Sequence, residues 1–426
     1  MTELTKKHHQ LNKNRKRNFF FILSFPMLLT LTAFLADTPG EILRGLYQII
    51  ISSDILLVDY LEIGGLGATL VNVALLSLFT ITLSYLLHVK MSGMLIAATF
   101  MTIGFSFFGK NLLNVLPMYL GGLLYAKTQK IEFKNIIVII MFSSALAPAV
   151  SEIAFGLGLH PLISFPAAIA FGAFCGFVIT PLSANMISIH DGFNLYNVGF
   201  AVGIIAIVLN SLFKSFGINL VPRLILSTEY NIFFEVFFLI LFISLILLGF
   251  YMNGKSFHGY FRIFQYSGKL ITDFTQLEGY GITFINMGVM GFLSMIFVFL
   301  VGHNGVYNGP VIGAIFAVTG FAAFGKHAKN AIPVLIGVYI AGVLKIWDTS
   351  STSFIIAGLF GTALAPLAGR FGPFIGILAG FLHVSVSMNV GEVHGGLNLY
   401  NNGFSCGLIA SLLYPLLSTI LPPKKV

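Results

Sequence analysis

The residues in this sequence best suited to chemistry sit in two short polar stretches. Residues 190–203 (HDGFNLYNVGFAVG) return as residues 394–407 (HGGLNLYNNGFSCG), at an offset of 204 and with 9 of 14 positions identical. Agreement of that quality marks an internal duplication. The first copy offers His190, Asn194, Tyr196 and Asn197, and the second His394, Asn398, Tyr400 and Asn401. If the stretch is helical, the His and both Asn of each copy share one face, at i, i+4 and i+7. If it is extended, Gly192 and Gly396 permit a break and the Asn side chains cap the next helix. An unpaired amide or imidazole beside an apolar core is costly, so these groups need partners. Two readings follow: the groups bind a solute, or they pin helix ends.

Other polar groups lie nearby. Asn185 and Asn389 precede the two motifs by about one turn and are expected to line the same cavity. Asp191 and Glu392 flank the histidines without being repeat-equivalent. A carboxylate near membrane depth often marks an ion path, so these two are the candidates for H⁺ or Na⁺ coupling. A loop acid at a wet mouth is the plainer reading. A second duplicated element, G-F-x-x-F-G-K, ends in Lys110 and Lys326 and is followed by Asn114/Pro117 and Asn330/Pro333. Gly and Pro at matching places in both halves point to discontinuous or re-entrant helices. The lysines could bind an anionic group, but snorkelling to the interface is the favoured expectation. No G-x-S-x-G, H-E-x-x-H or Walker pattern occurs, so no enzyme is expected. Cys175 and Cys406 lie in apolar runs and read as small hydrophobes; with no Cys/His spacing for a metal, no cofactor or metal is expected.

The elements that must position these groups are set by composition. Of 426 residues, 57% are hydrophobic and 9% charged, and the mean hydropathy is +0.93. Soluble domains carry roughly a quarter charged residues, so the chain reads as a polytopic membrane protein. The net charge of +8 reflects basic tails and loops and does not indicate nucleic acid. The expected organisation is a basic tail (1–17), a first span with an interfacial segment (18–63), repeat 1 (64–213), a linker with one span (214–277), repeat 2 (278–421) and a short tail (422–426). Within repeat 1, apolar runs cover 66–87, 91–108, 112–126, 135–150, 161–182 and 197–214. The linker span runs 231–251. Repeat 2 gives 281–302, 308–324, 331–346, 352–367, 371–390 and 402–421.

The duplication extends across these spans. Gly65, Gly67, Thr69 and Asn72 match Gly279, Gly281, Thr283 and Asn286, and Ala145–Pro148 matches Ala363–Pro366. Extra residues in repeat 1 are assigned to the 151–160 loop. Six spans per repeat plus one linker span put equivalent helices seven crossings apart, and an odd number predicts inverted repeats.

The doubled H-x-G-x-N-L-Y-N-x-G-F motif resembles a family of bacterial polytopic membrane proteins known only as a domain of unknown function, over nearly the whole chain. That resemblance implies a bacterial cytoplasmic membrane. The expectation is an all-α transmembrane helical bundle of two inverted repeats with discontinuous or re-entrant helices and cytoplasmic termini. It would transport or facilitate a small polar solute, neutral or zwitterionic. His190, Asn194, Asn197, His394, Asn398 and Asn401 would bind that solute, and Tyr196 and Tyr400 would bond or gate. Expected partners are that solute and the lipid bilayer, with homo-oligomerisation left open. Rival readings are an intramembrane enzyme using His190 and His394, and a non-transporting scaffold or sensor.

Overall fold

The computed structural model describes residue 19 and residues 22–270, 272–302 and 306–420. The basic tail and the residues beyond 420 lie outside them. The fold is all-helical: α1 (Ile22–Ala36), α2 (Pro39–Ile51), α3 (Tyr60–Leu86), α4 (Gly93–Phe105), α5 (Leu112–Thr128), α6 (Ile137–Ser143), α7 (Ala147–Ser151), α8 (Pro161–His190), α9 (Asn197–Ser215), α10 (Asn231–Met252), α11 (Phe274–Leu277), α12 (Gly279–Val301), α13 (Gly309–Phe321), α14 (Ala328–Leu344), α15 (Thr352–Gly361), α16 (Ala365–Phe371), α17 (Pro373–Val393) and α18 (Asn401–Ile420). Among the described residues, nine helices are long and apolar enough to cross a membrane. A tenth results if α1 and α2, bent by 114° at Asp37 and Thr38, form one broken span.

Each apolar run of repeat 1 has its helical counterpart in repeat 2. The matched pairs are α3 with α12, α4 with α13, α5 with α14, α8 with α17 and α9 with α18. The α6–α7 span, interrupted by a 3-10 turn at Ser144–Leu146, matches α15–α16 with its turn at Thr362–Leu364. The extra residues of repeat 1 do not all lie in the 151–160 loop. A π-helical turn covers Glu152–Gly156, and α8 is 30 residues against 21 for α17. Much of the insertion is therefore the first two turns of α8.

Helices α4 and α13 have 13 residues each. At 1.5 Å per residue they are about 20 Å long, short of a hydrocarbon layer of about 30 Å. Every residue of α13 is buried. The two short helices pack on each other through small residues. A Cβ on Gly104 would meet Gly313 O at 2.8 Å, one on Gly320 would meet Ala97 Cα at 3.2 Å, and Phe100 touches Phe316. These contacts run in opposite directions along the two helices, with 97 beside 320 and 104 beside 313.

A helix that stops inside the protein leaves carbonyls without partners. The duplicated residues resolve this. After α4 the chain turns at Gly109, whose φ of +73° suits glycine, and after α13 at Gly325, φ +92°. Asn72 of α3 donates to Ser106 O and Lys110 O at 2.8 and 2.9 Å, and Asn286 of α12 donates to Ala322 O and Lys326 O at 2.7 Å each. The following helices start on capping boxes, Asn111 with Asn114 and His327 with Asn330. The sequence pattern N…G-K…N is thus a set of parts for a buried helix break.

Candidate functional site

The polar motif does not continue the helix. His190 is the last residue of α8, Asp191 and Gly192 take positive φ, and α9 begins at Asn197. In the second copy Gly395 and Gly396 make the same turn before α18. His190 Nε2 donates to Asn197 Oδ1 at 3.0 Å, and His394 Nδ1 donates to Asn401 Oδ1 at 2.6 Å. Asn194 accepts from Tyr196 N at 2.9 Å and donates to Gly403 O at 3.2 Å, while Asn398 accepts from Tyr400 N at 2.8 Å. Asn197 also donates to Ser183 O at 2.7 Å. Most of the expected binding amides are therefore engaged in holding the turn.

The same turn brings the two copies together. A Cβ on Gly199 would lie 3.1 Å from Gly403 Cα, and one on Gly403 would lie 3.0 Å from Gly199 Cα. Helices α9 and α18 thus meet at equivalent glycines, which allow the backbones this approach.

The phenols reach across to the helix breaks. Lys110 Nζ donates to Tyr400 Oη at 2.8 Å, and Lys326 Nζ donates to Tyr196 Oη at 2.8 Å. Lys326 makes a further 2.8 Å bond to Thr362 Oγ1. Both lysines are 0% exposed. Snorkelling is therefore overturned: the break before each Lys lies inside the bundle, out of reach of any surface. Each ammonium also lies over aromatic faces, Lys110 at 5.3 Å from Phe105 and 5.0 Å from Tyr400, Lys326 at 4.5 Å from Tyr196 and 5.5 Å from Phe321. The ion pairs among the described residues are Lys134–Glu132, Arg262–Glu278 and Lys269–Asp191, and none involves these two.

Reciprocity extends to other groups. Leu195 N donates to Ala363 O and Leu399 N to Ala145 O; Leu270 N donates to Gly192 O and Leu56 N to Gly396 O. Asp59 accepts from Gly309 N at 2.9 Å, and Asp273 accepts from Gly93 N at 3.0 Å. Every one of these bonds joins one half to the other, and each has its repeat-equivalent. Asp59 and Asp273 escaped the sequence reading although their offset, 214, is that of Gly65 and Gly279.

A cavity of about 260 Å³ lies against both phenols, between Met94, Met101, Phe142 and Phe321. Its wall is overwhelmingly apolar. Among the remaining expected site residues, Asn185 and Asn389 are exposed and donate back to Pro181 O and Ser385 O of their own helices. Glu392 is exposed. Asp191 is half-buried and paired with Lys269 at 2.7 Å, beside a second cavity that also holds Arg370. Partial burial pushes its carboxyl up, but Lys269 and the Tyr414 hydroxyl hold it below the ordinary carboxylate range. The fully buried carboxylates lie elsewhere: Asp54 accepts from Ser151 at 2.6 Å and Asn114 at 3.0 Å.

A family model described as "Protein of unknown function (DUF1576)" matches the chain over residues 38–215 and 252–419. No curated protein and no solved structure matches it.

Proposed function

The chain belongs to the DUF1576 family, and from that premise, which carries no activity with it, we propose that the protein is a membrane transporter or facilitator of a small solute, working at the interface of two inverted halves. The observation that carries this reading is the crossed pair of bonds, Lys110 to Tyr400 and Lys326 to Tyr196. Each joins the helix break of one half to the polar turn of the other, beside a cavity that both phenols line. The opposed register of α4 and α13 supports inversion, and paired broken helices at a repeat interface are how such folds build a solute site.

The halves are also unequally closed, as alternating access requires. Val138 and Ile139 at the cavity wall are half-buried, whereas their equivalents Ile356 and Ala357 are buried. Asn194 holds Gly403 O, whereas the Asn398 amide has no acceptor among the described residues. One half rocking against the other would exchange these environments. For H⁺ or Na⁺ coupling, Asp54 is better placed than Asp191 or Glu392, because it is buried and in none of the ion pairs.

The test is flux of a metabolite panel into proteoliposomes holding the purified protein, against protein-free liposomes. Solute-specific uptake showing counterflow is the expected result. No flux across the panel, with a defined reaction that depends on His190 or His394, would replace this reading with the intramembrane enzyme.

A further inference from the structure

Two ammonium groups inside a membrane protein need compensation. Burial of a charge is tolerated when an opposite charge and hydrogen bonds replace its water. Here the lysines have the hydrogen bonds and the ring faces but not the charge. The buried acids face other groups: Asp59 accepts from Leu61, Ser227 and Gly309 N–H, Asp54 from Asn114 and Ser151, and Glu152 from Ser53. Both halves nevertheless keep the lysine, the phenol and the break that presents them. A merely structural tie could be made by a neutral donor at far less cost.

A phenol that accepts from an ammonium becomes a better donor through its own O–H. Tyr196 and Tyr400 both border the cavity, so the two positive charges are relayed to its wall. The remaining lining, including Met94, Met101, Phe142 and Phe321, is apolar apart from Ser183 and Asn197, whose side chains are engaged with Thr180 O and with His190 and Ser183 O. The free sites in the wall are thus two polarised hydroxyls facing an oily space of about 260 Å³.

We propose that Lys110 and Lys326, acting through Tyr400 and Tyr196, form an anion-binding centre, and that the solute is a small monocarboxylate with an apolar body. This deepens the transport reading and rests on it. A carboxylate has two oxygens for two phenols, and its apolar part matches the rest of the wall. The neutral or zwitterionic solute expected from the sequence relied on free amides, most of which the turns have engaged, and the Asn398 amide that has no acceptor among the described residues does not line the cavity. A zwitterion would also need an acceptor for its ammonium, and the cavity lining contains no carboxylate.

The probe is benzoate, with benzamide as its neutral counterpart and nitrate as an apolar-free anion, measured by thermal shift of the full-length protein in detergent and by uptake of labelled benzoate into proteoliposomes. Benzoate should stabilise the wild-type protein and the other two should not. Lys110→Met and Lys326→Met should each weaken benzoate binding roughly 100-fold, as loss of a unit charge a few ångströms behind the contact requires, and Lys→Arg should restore part of it. Equal response to benzoate and benzamide, or response to nitrate alone, overturns the proposal without use of any variant. Benzoate binding without flux upholds the anion centre and counts against transport. Flux of a neutral or zwitterionic solute with benzoate inert upholds transport and overturns the anion centre.

Discussion

The paired halves can be tested by removing one carboxylate. Asp59 is the N-cap of α3, accepting from Leu61 N at 2.9 Å, and it also accepts from Ser227 N at 3.1 Å and Gly309 N at 2.9 Å. It is 0% exposed, and Gly309 is buried. In Asp59→Ala, loss of the cap costs about 1 kcal/mol. Water cannot reach Gly309 N, and a buried donor left unpaired costs about 1–3 kcal/mol more. The expected total is about 2–4 kcal/mol on that basis. Asp273 makes the matching joint to Gly93 N and Thr275 N. Gly93 is buried but Asp273 is half-buried, so water can enter where the carboxylate was and replace part of what is lost. Asp273→Ala should therefore cost about 1–2 kcal/mol. Asn in either place keeps one acceptor and should cost about half as much as Ala. The assay is the unfolding midpoint of purified protein in one detergent, by intrinsic fluorescence and by size-exclusion recovery after heating. Asp59→Ala should cost more than Asp273→Ala, and each Ala variant more than the Asn variant at the same position. The double Ala variant should be near the sum, because the two joints share no partner. Asp59→Ala within about 0.5 kcal/mol of wild type, the range of ordinary surface changes, would refute the reasoning, and so would Asp273→Ala costing more.

Two further outcomes are expected. A Cβ at Gly121 would overlap Ala173 O, and one at Gly337 would overlap Ile377 O, so Gly→Ala at either should destabilise by about 1–3 kcal/mol. Gly391→Ala, with nothing within 4 Å of the added carbon, should leave the same thermal midpoint level or slightly raised. If Asp54 carries coupling, Asp54→Asn should remove the dependence of proteoliposome uptake on an imposed pH gradient while exchange continues. Asp191→Asn should preserve that dependence, and the reverse pattern would return the coupling role to the loop acid.

Much of this arrangement was legible in the residues. The run 197–214 became α9 at Asn197–Ser215, and 231–251 became α10 at Asn231–Met252, because a 20-residue apolar run in lipid has little choice but helix. The doubled Gly and Pro positions pointed to breaks, and Gly109 and Gly325 make them, while Pro117 and Pro333 lie inside α5 and α14. What periodicity does not carry is depth. Lys110 reads identically at a membrane surface and at a buried break; only the crossing of α4 with α13 decides. The segment expected to be interfacial, within 18–63, shows the same: its acids Asp54 and Asp59 are both 0% exposed and hold breaks and caps inside the bundle. Asn185 and Asn389 show the converse. Repeat conservation put them beside the motif, but a helical face one turn away points outward as readily as inward.

In a duplicated chain, positions that obey the repeat and positions that break it bear on different parts of a mechanism. On the transport reading, whatever presents a solute site must serve both orientations, and Lys110/Lys326 and Tyr196/Tyr400 obey the repeat. Coupling has a direction, so its residues are free to differ between halves. Asp54 falls where the repeat places Gly268, and Ser151 where it places Gly369. Both Asn114 and its equivalent Asn330 bond the glycine carbonyl of their break, Gly109 O and Gly325 O, but Asn114 also bonds the Asp54 and Ser151 side chains where Asn330 bonds the backbone Ser267 O. A titratable group has entered one copy of a buried break and been left out of the other. Protonating Asp54 would weaken the hold on Asn114, and hence on the break that presents Lys110, while leaving the Lys326 break untouched. On the transport reading, the asymmetry thus connects a proton on one side to the presentation of one of two otherwise equivalent lysines, which is how a coupling ion could act on a site built from two like halves.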